Sequence, residues 1–238
     1  MKFKLKKHTV NVVWISPIIT PFMFSPEWFR RYELLREEDI DNSNTELNPD
    51  EISTDYGWIE VACSPTKAVF QLRKAGLESA LGDLTSSIFA MFEHAETQAI
   101  GINTLYIYDF QDKEQWNAIG DALVPKALWE ATNKSKILQD NVDYHYGMRK
   151  LILSVEDSQT DIERLYKEAI NITYAPLHKS ESINHGLQIQ YNHDLVLSDS
   201  KNGLDFTKEL IEIIPQQISE AIKHDIESHE SIFNRILS

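Results

Sequence analysis

The sequence predicts an α+β protein: an antiparallel sheet with long helices packed on one face. Three observations predict it. Residues 187–197 alternate apolar and polar side chains, as a half-buried antiparallel strand does. Residues 77–94 and 204–237 instead repeat apolar residues at helical spacing. Neighbouring strand segments are separated by short turn signals such as Ser64-Pro65-Thr66, which suits antiparallel pairing.

The elements follow in order. Residues 3–15 form a strand in which Phe3 and Leu5 alternate with lysines before Val10, Val12, Val13 and Trp14. Ser25-Pro26-Glu27 starts a helix, with serine as cap and proline at the first helical position, and the helix runs to about Glu38. Residues 39–50 are a polar, acidic loop. Residues 56–63 and 67–73 form a hairpin, and a helix over 77–94 carries Leu77, Leu81, Leu84, Ile88 and Phe92. Residues 98–110 are apolar on both faces, which predicts a central strand or one covered on both sides. Asp112 caps a helix that stops at Pro125, with Trp129 in the connection that follows. Strands over 147–156, 165–174 and 187–197 come next. In the closing helix Leu210, Ile214, Ile218, Ile222 and Ile226 recur every fourth residue. Pro215 should start a new segment there or kink the helix.

Composition narrows the function classes. The 238 residues are 42% hydrophobic and 25% charged, as in ordinary globular proteins, which excludes a wholly disordered or disulfide-dense chain. The net charge is -14, which repels phosphate backbones. Nucleic-acid binding would need a local basic patch, and the dense one is Lys2, Lys4, Lys6 and Lys7. The acidic excess is concentrated. Residues 36–62 hold nine acids and one base, a net of -8, which is over half the total. The lone cysteine, Cys63, forms no intrachain disulfide and shares the alternating face of Ile59 and Val61, so it is expected to be a small buried hydrophobe. The apolar stretch 10–19 follows lysines as in a signal peptide, but Asn11 and Pro17 interrupt it and no small-x-small cleavage site follows. A cytoplasmic location is expected. No run is long and apolar enough to predict a membrane span.

The motif search returns no catalytic constellation. G-x-S-x-G, H-E-x-x-H, paired C-x-x-C and Walker patterns are all absent. Asp39, Asp41, Ser43 and Thr45 alternate like calcium ligands, but Asn44 replaces the central glycine and Asp50 the final glutamate. Pro49-Asp50 and Glu60 suggest a metal-dependent nuclease, but Ala62 stands where that chemistry needs a lysine. His224 and His229 are five apart and point to different helix faces, a poor metal pair. No metal and no cofactor are expected. Three residues are candidate ligand contacts: Asn103, an amide on a two-sided apolar strand; His193, on an otherwise apolar strand face; and Lys126. For Asn103 and His193 the competing reading is a hydrogen-bonded core residue. Trp28 and Trp116 sit at helical spacing with Tyr32 and Ile119, which predicts core packing over base stacking.

The order of elements repeats. Residues 1–97 read strand, helix, strand pair, helix; residues 98–238 read strand, helix, three strands, helix. The chain is therefore either a plain single domain or a pseudo-twofold one with those halves joined edge to edge. Such a unit resembles the fold of TATA-box-binding proteins and, more loosely, of SecB-type export chaperones, a likeness of fold that carries no function. The segments Ser25-Pro26-Glu27-Trp28, Ile100-Gly101-Ile102-Asn103 and Trp116-Asn117-Ala118-Ile119-Gly120-Asp121-Ala122-Leu123-Val124-Pro125-Lys126 resemble a pattern in uncharacterised bacterial proteins of similar size. That resemblance implies a bacterial or phage-associated cytosolic protein and brings no activity.

The expected function is non-enzymatic: a protein-binding or adaptor module whose partner docks on a sheet edge or an apolar groove, or a homodimer. The alternative is an enzyme whose site is assembled from scattered residues such as His193, Asn103 and Lys126.

Overall fold

The computed structural model describes residues 2–125, 148–156, 164–177, 180, 182–199 and 201–238. Nine strands form one antiparallel sheet: β1 (Phe3–Ile15), β2 (Asn44–Leu47), β3 (Ile52–Asp55), β4 (Ile59–Ser64), β5 (Lys67–Leu72), β6 (Ala99–Phe110), β7 (Leu151–Glu156), β8 (Tyr166–Leu177) and β9 (Gly186–Leu197). Among the described residues five helices accompany them: α1 (Pro26–Arg31), α2 (Glu37–Asp41), α3 (Glu78–Met91), α4 (Lys113–Leu123) and α5 (Gly203–Leu237). The fold is α+β, as the alternation predicts. No helix among the described residues is long and apolar enough to cross a membrane.

The strand order is β2-β3-β4-β5-β1-β6-β9-β8-β7. β1 and β6 pair at the centre from Phe3↔Phe110 to Ile15↔Ala99, so the strands that open residues 1–97 and 98–238 meet edge to edge. β2 and β7 are the outer strands.

One face of the sheet is the core. Val10, Val12, Trp14, Phe70 and Ile102 lie against Leu81, Ile88 and Phe89 of α3 and Phe206, Leu210 and Ile214 of α5. A second cluster joins Tyr106, Tyr108, Phe110 and Tyr191 to Ile119 of α4 and Phe233 near the end of α5. Trp28 packs against Phe24, Phe29 and Phe92, so this tryptophan serves the core. Cys63 is 1% exposed, and burial pushes its thiol pKa up to about 12, so it is an inert hydrophobe at neutral pH.

Two local expectations are corrected and one alternative for Pro215 is removed. The helix from Pro26 stops at Arg31 instead of reaching Glu38. Glu33 takes a left-handed φ of 55°, and the Leu34 and Glu33 amides close onto the Phe29 and Arg30 carbonyls, a Schellman ending. The acidic segment 39–50 is not all loop, because it contributes the end of α2 and the whole of β2. Pro215 neither starts nor ends a helix, since α5 runs unbroken past it for 35 residues. Proline lacks the amide that would bond the Ile211 carbonyl. Ser86 of α3 donates its hydroxyl to that carbonyl at 2.5 Å instead. The helices approach so closely there that a Cβ on Gly82 would lie 3.0 Å from the Pro215 Cα.

Candidate functional site

The inward stripe of α5 is Phe206, Leu210, Ile214, Ile218, Ala221, Asp225, His229 and Phe233, all buried. Each four-residue step advances about 40° around an α-helix, so a stripe built only of such steps drifts off its face. The three-residue step from Ile218 to Ala221 corrects the drift. Ile222 and Ile226 are thereby displaced to the flank, where they are half-buried, and Asp225 and His229 take the core positions. The sequence pattern of fours alone missed this.

Across from them, alternation on β6 and β9 aims Thr104, Tyr106, Tyr108, Tyr191 and His193 at the helix. Asp225 is 0% exposed, so its carboxylate needs partners on every side. It has three: Thr104 Oγ1 donates to Oδ2 at 2.5 Å, His193 Nε2 lies 2.9 Å from Oδ1, and His224 Nδ1 lies 3.3 Å from the same oxygen. His193 is 4% exposed, and its side chain stacks near Tyr191. The His224 side chain is 56% exposed at the rim.

His229 is held by two tyrosines. Tyr108 Oη lies 2.9 Å from its Nε2 and Tyr191 Oη 3.3 Å from its Nδ1. Tyr108 also donates to Glu230 Oε1 at 2.9 Å. A phenol has one proton, and Tyr108 gives its own to Glu230, so Tyr108 accepts from His229 Nε2–H and Tyr191 shares its proton between His229 Nδ1 and the Asp225 carbonyl, 3.4 Å away. That makes a neutral imidazole with both nitrogens occupied. Burial lowers the His229 pKa to about 4, against a raising effect of Asp225 and with a further lowering from His8. Burial also raises the Tyr108 and Tyr191 phenols far above their ordinary range. His8 stacks flat on Tyr106 at 4.8 Å between centroids, and burial lowers its pKa as well.

Asn103 stands on the opposite face of the sheet from this network. Ile102 pairs with His193, while Asn103 pairs with Asn192. Asn103 belongs to a row of directly opposed polar side chains running through Gln71, Asn11, Asn103, Asn192 and Asn171. Its Nδ2 donates to Asn11 Oδ1 at 2.8 Å, and Asn11 Nδ2 donates to Gln71 Oε1 at 3.1 Å. Cross-strand amide bonding accounts for this residue. Lys126 and Trp129 lie outside the described residues. Asn103 and His193 therefore do not converge on one site.

A different surface lies at the β2 edge. The loop after β1 and the β2–β3 hairpin enclose an apolar cleft of about 150 Å³, lined by Pro21, Phe22, Pro26, Leu47, Ile52 and Val61 among others. Phe22 is 80% exposed and Leu47 is 74% exposed, the two most exposed large hydrophobic residues described. All four residues of β2 are exposed. This edge belongs to the segment 36–62, with its net charge of -8. Reading that segment as a loop hid the strand, although Thr45, Leu47, Ile52 and Thr54 carry β-prone residues.

No protein-family model matches the chain, and no curated protein matches it.

Proposed function

We propose that the protein is a non-enzymatic protein-binding module whose docking surface is the β2 edge and its apolar cleft. The observation that carries this is the combination of Phe22 and Leu47, held in water beside β2, whose outer edge has no neighbouring strand among the described residues, with the densest acidic segment of the chain. The occupant that fits is an extended segment of a partner protein with one or two apolar anchors flanked by lysine or arginine. The anchors would fill the cleft, the main chain would lie along β2, and the acids would steer and hold the basic flanks. A second copy of the chain fits less well, because it brings the same acidic surface to the contact. The net charge of -14 also disfavours nucleic acid as a partner. The resemblance to bacterial proteins and the single buried cysteine support a bacterial, cytoplasmic setting.

An array of synthetic lysine-rich peptides, each with a single Phe or Leu anchor, tests this directly. Binding should weaken with salt and fall about tenfold or more in Phe22→Ser and Leu47→Ser, each of which removes an anchor contact. Both side chains are largely in water, so the variants should fold as the parent does. Absence of binding, or binding indifferent to both substitutions, refutes the proposal.

The enzyme reading has one observation in its favour, the His193–Asp225 hydrogen bond, which could orient a general base. Asn103 contributes nothing to it, because it faces the other way.

A further inference from the structure

The same cluster that closes the polar core has the composition of a metal site. We infer that His193, His224 and Asp225 bind a divalent transition-metal ion of the zinc type. One ligand atom from each residue lies within 4.8 Å of the others. His224 Nδ1 is 3.3 Å from Asp225 Oδ1, and His193 Nε2 is 2.9 Å from it. Tetrahedral coordination with bonds of about 2.1 Å puts neighbouring ligand atoms about 3.4 Å apart, so both separations are close to the required edge. The two imidazole nitrogens are the wider pair, within 4.8 Å of each other, so His224 must swing inward by up to about 1.4 Å to reach that edge. Its side chain is 56% exposed and has room to make it.

The donor set selects the metal class. Two imidazoles and one carboxylate suit zinc, cobalt or nickel, whereas calcium and magnesium prefer all-oxygen shells. A partner also fixes the carboxylate ligand from behind: Thr104 Oγ1 donates to Asp225 Oδ2, leaving Oδ1 for the ion. His193 would coordinate through Nε2 as neutral imidazole, its remaining proton moving to Nδ1. His229 is outside the set, because both of its nitrogens are engaged by Tyr108 and Tyr191. Three protein ligands leave a fourth position, and the exposed rim at His224 opens it to water or a small ligand.

The pairing that brings these residues together is long-range. The sequence neighbours His224 and Asp225 meet His193 only because α5 crosses β9. That is why the histidine spacing, tested on His224 with His229, gave no metal pair.

Cobalt(II) alone, titrated into the metal-free full chain, is the probe. The expected result is one equivalent bound, with the intense visible ligand-field band of a tetrahedral site, and displacement of that band by zinc. His224→Ala should weaken cobalt binding at least tenfold. Its side chain is 56% exposed, touching only the Asp225 carboxylate and the edge of the His193 ring, and Asp225 keeps Thr104 and His193 as partners without it, so the thermal midpoint of the metal-free variant should stay close to the parent. His94→Ala, at a histidine exposed elsewhere on the surface, should leave cobalt binding unchanged. No tetrahedral band, or a band and affinity that survive His224→Ala, overturns the inference.

Discussion

Acidification from pH 7 to pH 5 should loosen the fold through His229. This imidazole is 0% exposed, and its neutral form satisfies Tyr108 and Tyr191 together. A second ring proton would abolish its acceptance of the Tyr191 hydroxyl and bury a cation. Burial accordingly lowers its pKa from 6.5 to about 4. Asp225 on the same helix opposes that shift, and His8 on β1 adds to it. Glu230 faces the network through Tyr108. Because the folded pKa is below the unfolded one, the unfolded chain binds more protons between those values, so stability falls as pH falls from 6.5 toward 4. At pH 5 the loss from this residue is about 2 kcal/mol, and it levels off at about 3 kcal/mol below pH 4. His8, also lowered by burial, acts in the same direction. Urea unfolding followed by tryptophan fluorescence at pH 7 and pH 5 measures the loss. The parent should lose about 2 kcal/mol more than His229→Gln over that interval, since glutamine carries no proton to bind. Nuclear magnetic resonance of labelled histidine gives the same answer without a variant, because the His229 ring signals should stay flat down to pH 5. Equal losses in parent and variant, or a His229 ring that titrates near 6.5, would refute the reasoning.

Further predictions concern the helix layer. Ser86→Ala leaves the Ile211 carbonyl without its donor and should cost about 1–2 kcal/mol, measured by urea unfolding. In a Pro215→Ala background that cost should shrink, because alanine restores a helical amide to the same carbonyl; an unchanged cost would show that Ser86 acts otherwise. Gly82→Val should push α3 off α5 at Pro215 and destabilise by about 1–3 kcal/mol, whereas equal or greater stability would mean the helices have slack there. Deleting residues 203–238 removes the α5 contribution to both apolar clusters and should abolish soluble folding; a compact, soluble truncated chain would contradict that.

The local features were legible where the physics is local. β1 and β9 follow from period-two alternation, β6 from its two-sided apolar run, and α3 and α4 from helical spacing. The caps at Ser25 and Asp112 work as their side chains dictate, accepting from the Trp28 and Gln115 amides. The end of α1 was hidden because Glu33 is not a residue that ordinarily takes a left-handed φ. β2 was hidden because it is short, exposed on both faces and shows no burial pattern.

The candidate site divides along the same line. The apolar face of β9 marked His193 as a polar exception in the sequence, and it proved to be buried. Nothing local indicated that Asp225 would meet it. Thr104 and Asp225 are 121 residues apart, and their hydrogen bond exists only because α5 lies across the β6–β9 seam. The same crossing lets Ser86 supply the donor that Pro215 withholds, which a helix considered alone forbids. By itself, then, the sequence determined the α+β class, the strand faces, two helix caps and the acidic segment, because periodicity, capping and charge act between neighbours. Only the tertiary structure decided which buried polar groups found partners, because desolvation must be balanced by whatever the packed fold brings within hydrogen-bond reach.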